Sequence, residues 1–154
     1  MVISYKGTHW VAEYCWIIQN NLDFERARNE KFIMRVPFIE LGLSKTFLEE
    51  MQSPRVFMTH YQRDLLPDNL NKKAKIVYVA RNPKDVLVSL YYFHKKLPMD
   101  PYDGTFNDLF DSFVSGEIMY DAWWKHIDTF AELENIHFMH FEDLLEVLLK
   151  VEND

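Results

Sequence analysis

The segment spanning residues 75–89 constrains the fold of this chain more than any other. Its apolar, β-branched run at 76–80 is too short for a stable helix and is typical of a strand buried on both faces of a parallel sheet. The following residues favour a helix start, because Asn82 is a good N-cap, Pro83 suits the first helical position and Asp85 places an acid near the positive end of the helix dipole. The segment therefore predicts a buried strand, a tight turn and a capped helix.

Arg81 stands at the turn between this predicted strand and this predicted helix. Ligands bind at the carboxyl ends of strands in open α/β sheets, so the guanidinium is well placed to meet an anion. Ser89 lies two helical turns after Asn82 and on nearly the same face. A guanidinium fork with a hydroxyl nearby suits a phosphate group. The residues alone leave two interpretations of Arg81 open, an anion site or an ordinary ion pair.

Composition and charge narrow the class of protein. The 154 residues are 48% hydrophobic and 16% aromatic, which predicts one packed globular domain. The formal net charge of -7 argues against nucleic acid as a partner, because nucleic acid binds basic surfaces. A small polyanionic ligand needs only a local basic pocket and stays possible.

Cys15 is the single cysteine of the chain, which excludes an internal disulfide framework and favours a reducing compartment. It falls in an apolar helical run, so we expect a buried structural thiol. The sequence has neither an apolar run of membrane-spanning length nor a signal-peptide pattern at its start. We therefore expect a soluble cytoplasmic protein without a membrane partner.

The remaining histidines and two aromatic residues receive ordinary structural predictions. His94, His126 and His137 are expected on the surface or on helix faces, and their spacing is not that of a metal site. No metal is therefore predicted. Tyr14 and Trp16 are expected in the core or in the lining of a pocket.

Strand and helix patterns alternate along the chain. Strands are predicted at 2–4, 55–59, 76–80 and 136–140. Helices are predicted at 8–19, 44–51, 68–73, from 83 onward, and at 106–114, 117–134 and 142–151, whereas 21–40 looks irregular. This alternation predicts an α/β fold with a parallel sheet and right-handed crossovers.

Several blocks of the sequence occur in an order and at a spacing that resemble one known family. They are Tyr5–Trp10, Arg35–Glu40, Ser53–His60, Leu65–Pro67, Arg81–Ser89, Phe113–Trp124 and His140–Asp143. Together they resemble the cytosolic sulfotransferases, which use 3′-phosphoadenylyl sulfate (PAPS) as sulfuryl donor. The resemblance implies a P-loop-like, three-layer α/β fold with a central parallel sheet flanked by helices, and a single sulfotransferase domain over residues 1–154.

The resemblance also implies a chemistry, the transfer of a sulfuryl group from PAPS to a small phenol, alcohol, steroid or amine without a metal. It implies that His60, which follows a predicted strand, is the general base that takes the acceptor's proton, a task suited to a near-neutral pKa. The alternative is a solvent-facing loop histidine. Lys6 would stabilise charge on the bridging oxygen that leaves with the nucleotide.

The same resemblance implies a nucleotide site built from three blocks. The loop 6–8 and the amides that open the following helix would cradle the 5′-phosphate. Trp10 would stack on the adenine or, alternatively, pack in the core, while Arg81 and Ser89 would bind the 3′-phosphate. The complete set of predicted nucleotide-binding residues is Lys6, Gly7, Thr8, His9, Trp10, Arg81, Ser89 and Phe141.

The chain departs from the family pattern in several places. The loop Tyr5–Thr8 is shorter than the family loop, Met58 stands where the family has a lysine, and Phe141 replaces a tyrosine. The family's segment before the loop and its C-terminal segment, with further 3′-phosphate contacts and a dimerisation motif, have no counterpart in these residues. We therefore expect a partial domain and leave dimerisation open. These departures favour an alternative function, a catalytically impaired relative that still binds PAPS.

A third candidate function is a P-loop phosphotransferase. Against it, Gly7 and Thr8 are not part of the Gly-Lys-Ser/Thr sequence that a Mg²⁺–nucleoside triphosphate site needs. For the acceptor, a set of aromatic residues predicts an apolar pocket. These residues are Tyr61, Tyr91, Tyr92, Phe93 and Trp124.

Overall fold

The structure is a computed structural model that describes residues 1–4, 8–97 and 101–152. Within these ranges, four strands form one parallel sheet in the order β2-β1-β3-β4. The strands are Val2–Ser4 (β1), Met58–Thr59 (β2), Ile76–Ala80 (β3) and Ile136–His140 (β4). The helices of the described residues are Thr8–Gln19 (α1), Phe24–Asn29 (α2), Phe32–Arg35 (α3), Lys45–Glu50 (α4), Leu70–Lys73 (α5), Pro83–Lys95 (α6), Phe106–Ser115 (α7), Trp123–Ala131 (α8) and Phe141–Glu152 (α9).

One face of the sheet packs against α1. Val2 pairs in register with Met58 on one side and with Val77 on the other, and register partners in a parallel sheet point to the same face. A buried cluster joins this face to Val11 and Trp16 of α1, and half-buried Leu144 of α9 packs on the same cluster. Helices therefore cover this side of the sheet.

The opposite face carries a second buried cluster. Ile3, Ile76 and Tyr78 point to this side and pack against Phe130 of α8. Tyr78 also stacks on Phe138 of β4 with ring centroids 4.5 Å apart. Two buried clusters on two faces make a three-layer α/β fold, which confirms the prediction of a central parallel sheet flanked by helices.

The helix starts that the sequence predicted are confirmed where they depend on a capping side chain. The Asn82 side chain accepts a hydrogen bond from the Lys84 amide at 3.0 Å, and Pro83 follows at the first position of α6. The Ser44 hydroxyl accepts from the Phe47 amide at 3.1 Å. Each cap satisfies an amide that has no partner inside its own helix.

Three predictions of element boundaries were wrong. The region 21–40 is not irregular, because it contains α2, α3 and a short 3₁₀ helix at Ile39–Leu41. The side chain of Asp23 starts α2 by accepting from the Arg26 amide at 2.9 Å. The strand predicted at 55–59 is limited to Met58–Thr59, the two positions at which it pairs in register with β1.

The helix predicted at 117–134 begins only at Trp123. Gly116 ends α7 in the left-handed conformation with a φ of 81°. Tyr120 and Asp121 are also left-handed, with φ values of 72° and 62°. Side chains other than glycine rarely adopt this conformation, and it is incompatible with a continuing helix. The chain therefore turns between α7 and α8, and this turn places Tyr120 beside the sheet.

Candidate active site

A cavity of about 510 Å³ lies at the carboxyl edge of the sheet. Because all four strands run parallel, the residues that follow them meet at this edge. His60 follows β2, Arg81 follows β3, and both line the cavity together with His9 of α1 and Ser89 of α6. The fold thus brings together four of the residues that the sequence singled out. The volume is within the range of small-molecule sites.

His60 is buried, with 8% of its surface exposed, and is not a solvent-facing loop residue. Its Nδ1 lies 2.5 Å from the carbonyl oxygen of Ser4. A carbonyl oxygen can only accept, so Nδ1 carries the hydrogen and Nε2 is the acceptor nitrogen of the neutral ring. Phe38 and Tyr120 contact the ring edge-on, with centroids 5.1 and 5.5 Å away. The ring is thus fixed in the tautomer that a general base needs at Nε2.

The backbone of His60 is held as firmly as its ring. Its amide donates to Glu40 Oε1 at 2.5 Å, and the Thr59 hydroxyl donates to the same oxygen at 2.9 Å. Its carbonyl oxygen lies 3.1 Å from Nε2 of His126. Two side chains from different segments of the chain, Glu40 and His126, therefore hold the His60 backbone, and the Ser4 carbonyl oxygen holds its ring.

His126 is the functional candidate that the sequence interpretation missed. It was expected on the surface or a helix face, yet it is 0% exposed, because its side of α8 faces the sheet. Burial lowers the pKa of His126 to about 4, so the ring is neutral near pH 7. The spacing of His126 and Phe130, one helical turn apart on the buried face, is the signal that could have identified it.

Arg81 projects into the cavity without an ion-pair partner among the residues that the structure describes. Its guanidinium carbon lies 4.7 Å from the centroid of the Phe141 ring, a favourable cation–π arrangement. Its Nε is buried and has no hydrogen-bond acceptor within described residues. A buried donor of this kind is costly unless a ligand supplies an acceptor. The geometry therefore favours the anion-site interpretation over an ordinary ion pair.

The aromatic rings of Phe141 and Trp10 lie near Arg81 at the carboxyl edge of the sheet. Phe141 begins α9 directly after β4, and its ring centroid lies 6.5 Å from that of Trp10. Trp10 is 53% exposed, so the alternative that it packs in the core is wrong. Its open face is accessible to a planar ligand.

The remaining residues predicted for the nucleotide site, and two further histidines, lie as follows. Lys6 and Gly7 lie outside the described residues, and Thr8 is described only as the first residue of α1. His94 is half-buried on α6 and lines the cavity, and His137 is exposed as expected.

Met58 is buried between the sheet and α1 and also borders the cavity. Where the resemblance to the sulfotransferases places a lysine, this wall of the cavity is therefore apolar. Cys15 is half-buried, and burial raises its thiol pKa, which suits a structural thiol better than a nucleophile.

In the described part of the chain, no helix is long and apolar enough to cross a membrane. The same residues contain no group of three or more His, Cys, Asp or Glu side chains placed to hold a metal ion.

A three-layer α/β fold with a cavity at the carboxyl edge of its sheet defines a class of small-molecule-binding proteins. The family model described as "Sulfotransferase domain" matches residues 1–151. The chain belongs to the sulfotransferase family.

Named relatives agree with this assignment. Sulfotransferase 1 family member D1 of Rattus norvegicus is 38% identical over 150 residues, covering 92% of this chain and 51% of the relative. Sulfotransferase 1E1 of Homo sapiens is 35% identical over 154 residues, covering 94% and 52%. The chain thus spans about half the length of the curated relatives it matches.

Solved structures have the same fold. Retinol dehydratase in complex with androsterone and the inactive cofactor PAP aligns with a TM-score of 0.80 at 25% identity, covering 96% of this chain and 55% of the other. Mouse sulfotransferase SULT7A1 complexed with PAP aligns with a TM-score of 0.75 at 28% identity, covering 97% and 53%.

Proposed function

We propose that this protein transfers a sulfuryl group from PAPS to a hydroxyl or amine of a small apolar acceptor, with His60 as general base. The observation that carries the proposal is one cavity that joins the oriented His60 ring to the guanidinium of Arg81. Membership of the sulfotransferase family supports the reaction type.

The residues at the carboxyl edge fit a phosphorylated adenine nucleotide. The buried Nε of Arg81 needs an acceptor, which a phosphate oxygen provides. Ser89 adds a hydroxyl to the lining of the same cavity, and the exposed ring of Trp10 offers an aromatic face to the base. The solved relatives that were crystallised with PAP support this assignment.

The reaction needs positioning and one proton acceptor. PAPS supplies the sulfuryl group: the acceptor oxygen or nitrogen forms a bond to sulfur, and the bond from sulfur to the phosphate oxygen breaks, leaving its electron pair on that oxygen. The proton of the acceptor passes to Nε2 of His60. Holding acceptor and donor in line accounts for much of the rate in reactions of this kind. Lys6 is our candidate for stabilising the oxygen that leaves.

The lining of the cavity favours an apolar acceptor. Its wall includes Ile33, Phe38, Leu41 and Met119 beside His60. We therefore propose a small phenol, alcohol, steroid or amine, and the androsterone bound to retinol dehydratase supports the steroid class. Aromatic and aliphatic walls bind such molecules by excluding water, while one polar group orients the reacting atom.

One observation favours a second function, a PAPS-binding relative that does not transfer the group. Met58 gives the cavity an apolar wall where the family has a lysine, so one positive charge near the sulfuryl group is missing. Such a protein would bind the nucleotide through Arg81 and turn over poorly.

The test is a transfer assay with radiolabelled PAPS and a small phenol, run beside calorimetric titration with PAP. We expect labelled phenyl sulfate and stoichiometric PAP, both unchanged by a chelator, because the proposed site uses no metal. PAP binding without transfer would support the second function. No binding of PAP by the folded chain would contradict both. Activity that requires Mg²⁺ would instead support phosphotransferase chemistry.

A further inference from the structure

A chain of two hydrogen bonds connects the core of the sheet to His60. Tyr78 of β3 and His126 of α8 are both completely buried. The Tyr78 hydroxyl lies 2.8 Å from Nδ1 of His126, and Nε2 of His126 lies 3.1 Å from the carbonyl oxygen of His60. Nothing in the proposed reaction uses Tyr78 or His126 directly.

The direction of these hydrogen bonds follows from chemistry alone. The carbonyl oxygen of His60 can only accept, so Nε2 of His126 must carry a hydrogen. In the neutral ring Nδ1 then has no hydrogen and accepts from the Tyr78 hydroxyl. Tyr78 thus fixes the tautomer of His126, and His126 fixes the peptide that carries His60. Only one arrangement of hydrogens satisfies both contacts in the neutral ring.

The peptide on both sides of His60 is therefore anchored. The amide donates to Glu40, and the carbonyl accepts from His126. Between these anchors, the ring bonds to Ser4 through Nδ1. A shift of the peptide would move the ring relative to the cavity, and a displacement of about 1 Å can cost on the order of a hundredfold in rate.

We propose that His126, oriented by Tyr78, is a positioning residue that holds the His60 peptide so that its ring faces the acceptor in the Nε2-accepting tautomer. This inference rests on the proposed role of His60 as general base. His126 itself touches neither the acceptor nor the nucleotide in this arrangement. A purely structural role, filling space beside Tyr78 and Phe130, is the alternative that an experiment has to separate.

The variants His126→Leu and His126→Gln separate the two roles. Leucine fills the volume but offers no hydrogen bond, whereas glutamine keeps one donor and one acceptor. We expect kcat per folded molecule to fall roughly 10–100-fold in His126→Leu, with KM for PAPS unchanged, and a large part of the rate to return in His126→Gln. Phe130→Leu is the matched control, because Phe130 contacts both rings without hydrogen-bonding to either.

A second measurement reports the tautomer of the His60 ring and does not depend on catalytic activity. In ¹⁵N spectra of the wild-type chain, the His60 ring should show a protonated Nδ1 and an unprotonated Nε2. We expect His126→Leu to mix the two tautomers and Phe130→Leu to preserve the wild-type pattern. If His126→Leu fails to fold, Tyr78→Phe removes only the orienting hydroxyl and should produce the same mixing.

These experiments distinguish a failure of the proposed reaction from a failure of the positioning role of His126. If the wild-type chain transfers no sulfuryl group but His126→Leu still mixes the His60 tautomers, the proposed reaction fails while the positioning contact stands. The positioning role is overturned if His126→Leu and Phe130→Leu lower kcat equally, or if His126→Leu leaves the His60 spectrum as in the wild type.

Discussion

Replacing Arg81 with alanine should weaken nucleotide binding strongly while leaving the fold nearly as stable as before. The guanidinium makes no ion pair with the described residues, and its Nε has no acceptor there. Its contact with the Phe141 ring contributes about 0.5–1 kcal/mol. The free energy of unfolding should therefore change little in Arg81→Ala.

Arg81→Ala should change the affinity for PAP much more than it changes the stability of the fold. One charge-assisted hydrogen bond to a phosphate contributes about 1.5–3 kcal/mol. Since 1.4 kcal/mol corresponds to a tenfold change in affinity, loss of one such bond raises Kd for PAP about 10–150-fold. A second bond from the same fork would raise it further, because arginine binds phosphate through two parallel N–H groups.

Calorimetric titration with PAP measures this difference directly, and urea unfolding monitors the fold. Arg26→Ala is a suitable control, because it removes the same charge from the exposed pair with Glu30 and should leave Kd unchanged. Nucleotide affinity in Arg81→Ala equal to the wild-type value would refute the assignment of Arg81 to the phosphate site. Equal losses in both variants would show that only net charge matters.

Two further predictions concern stability. Asn82→Ala should lower the free energy of unfolding by about 1 kcal/mol and Asn82→Gly by only a few tenths, because the Asn82 side chain caps α6. Urea denaturation measures both changes, and an equal loss of stability in the two variants would argue against the cap. The pKa of His126 is about 4 in the folded chain, lowered chiefly by burial, and near 6.5 in the unfolded chain. Between these two values the unfolded chain binds a proton at His126 and the folded chain does not. Stability is therefore complete above pH 6.5 and falls as the pH drops toward 4, by about 2 kcal/mol at pH 5. His126→Gln should lack this part of the slope, and an unchanged slope would contradict the buried neutral imidazole.

The sequence predicted the elements whose signals are local. β3 and α6 were recognisable because an apolar run is followed by Asn82 and Pro83, and these features determine a strand end and a helix start without help from the rest of the chain. The parallel sheet followed from the alternation of elements. The placement of His60 and Arg81 followed from the rule that ligands bind at the carboxyl ends of parallel strands, and that of Ser89 from its helical spacing after Asn82.

Other features depend on tertiary contacts that a sequence pattern does not contain. His126 is polar, and its hydrogen-bonding partners Tyr78 and His60 offset the cost of burying it. The break before α8 depends on left-handed residues at Tyr120 and Asp121, neither of which is glycine, so composition gave no signal for it. The short extent of β2 was set by β1, a partner remote in sequence.

Single-turnover transfer from PAPS to a small phenol, compared between the wild-type chain and His60→Gln, tests the assignment of the general base most directly. Glutamine keeps a donor and an acceptor near the cavity but cannot take a proton near neutral pH. We predict that the wild-type chain forms the sulfate ester, and that His60→Gln loses roughly 10²–10⁴-fold in rate while binding PAP with unchanged affinity. Equal rates of transfer in both proteins would contradict the proposed role of His60.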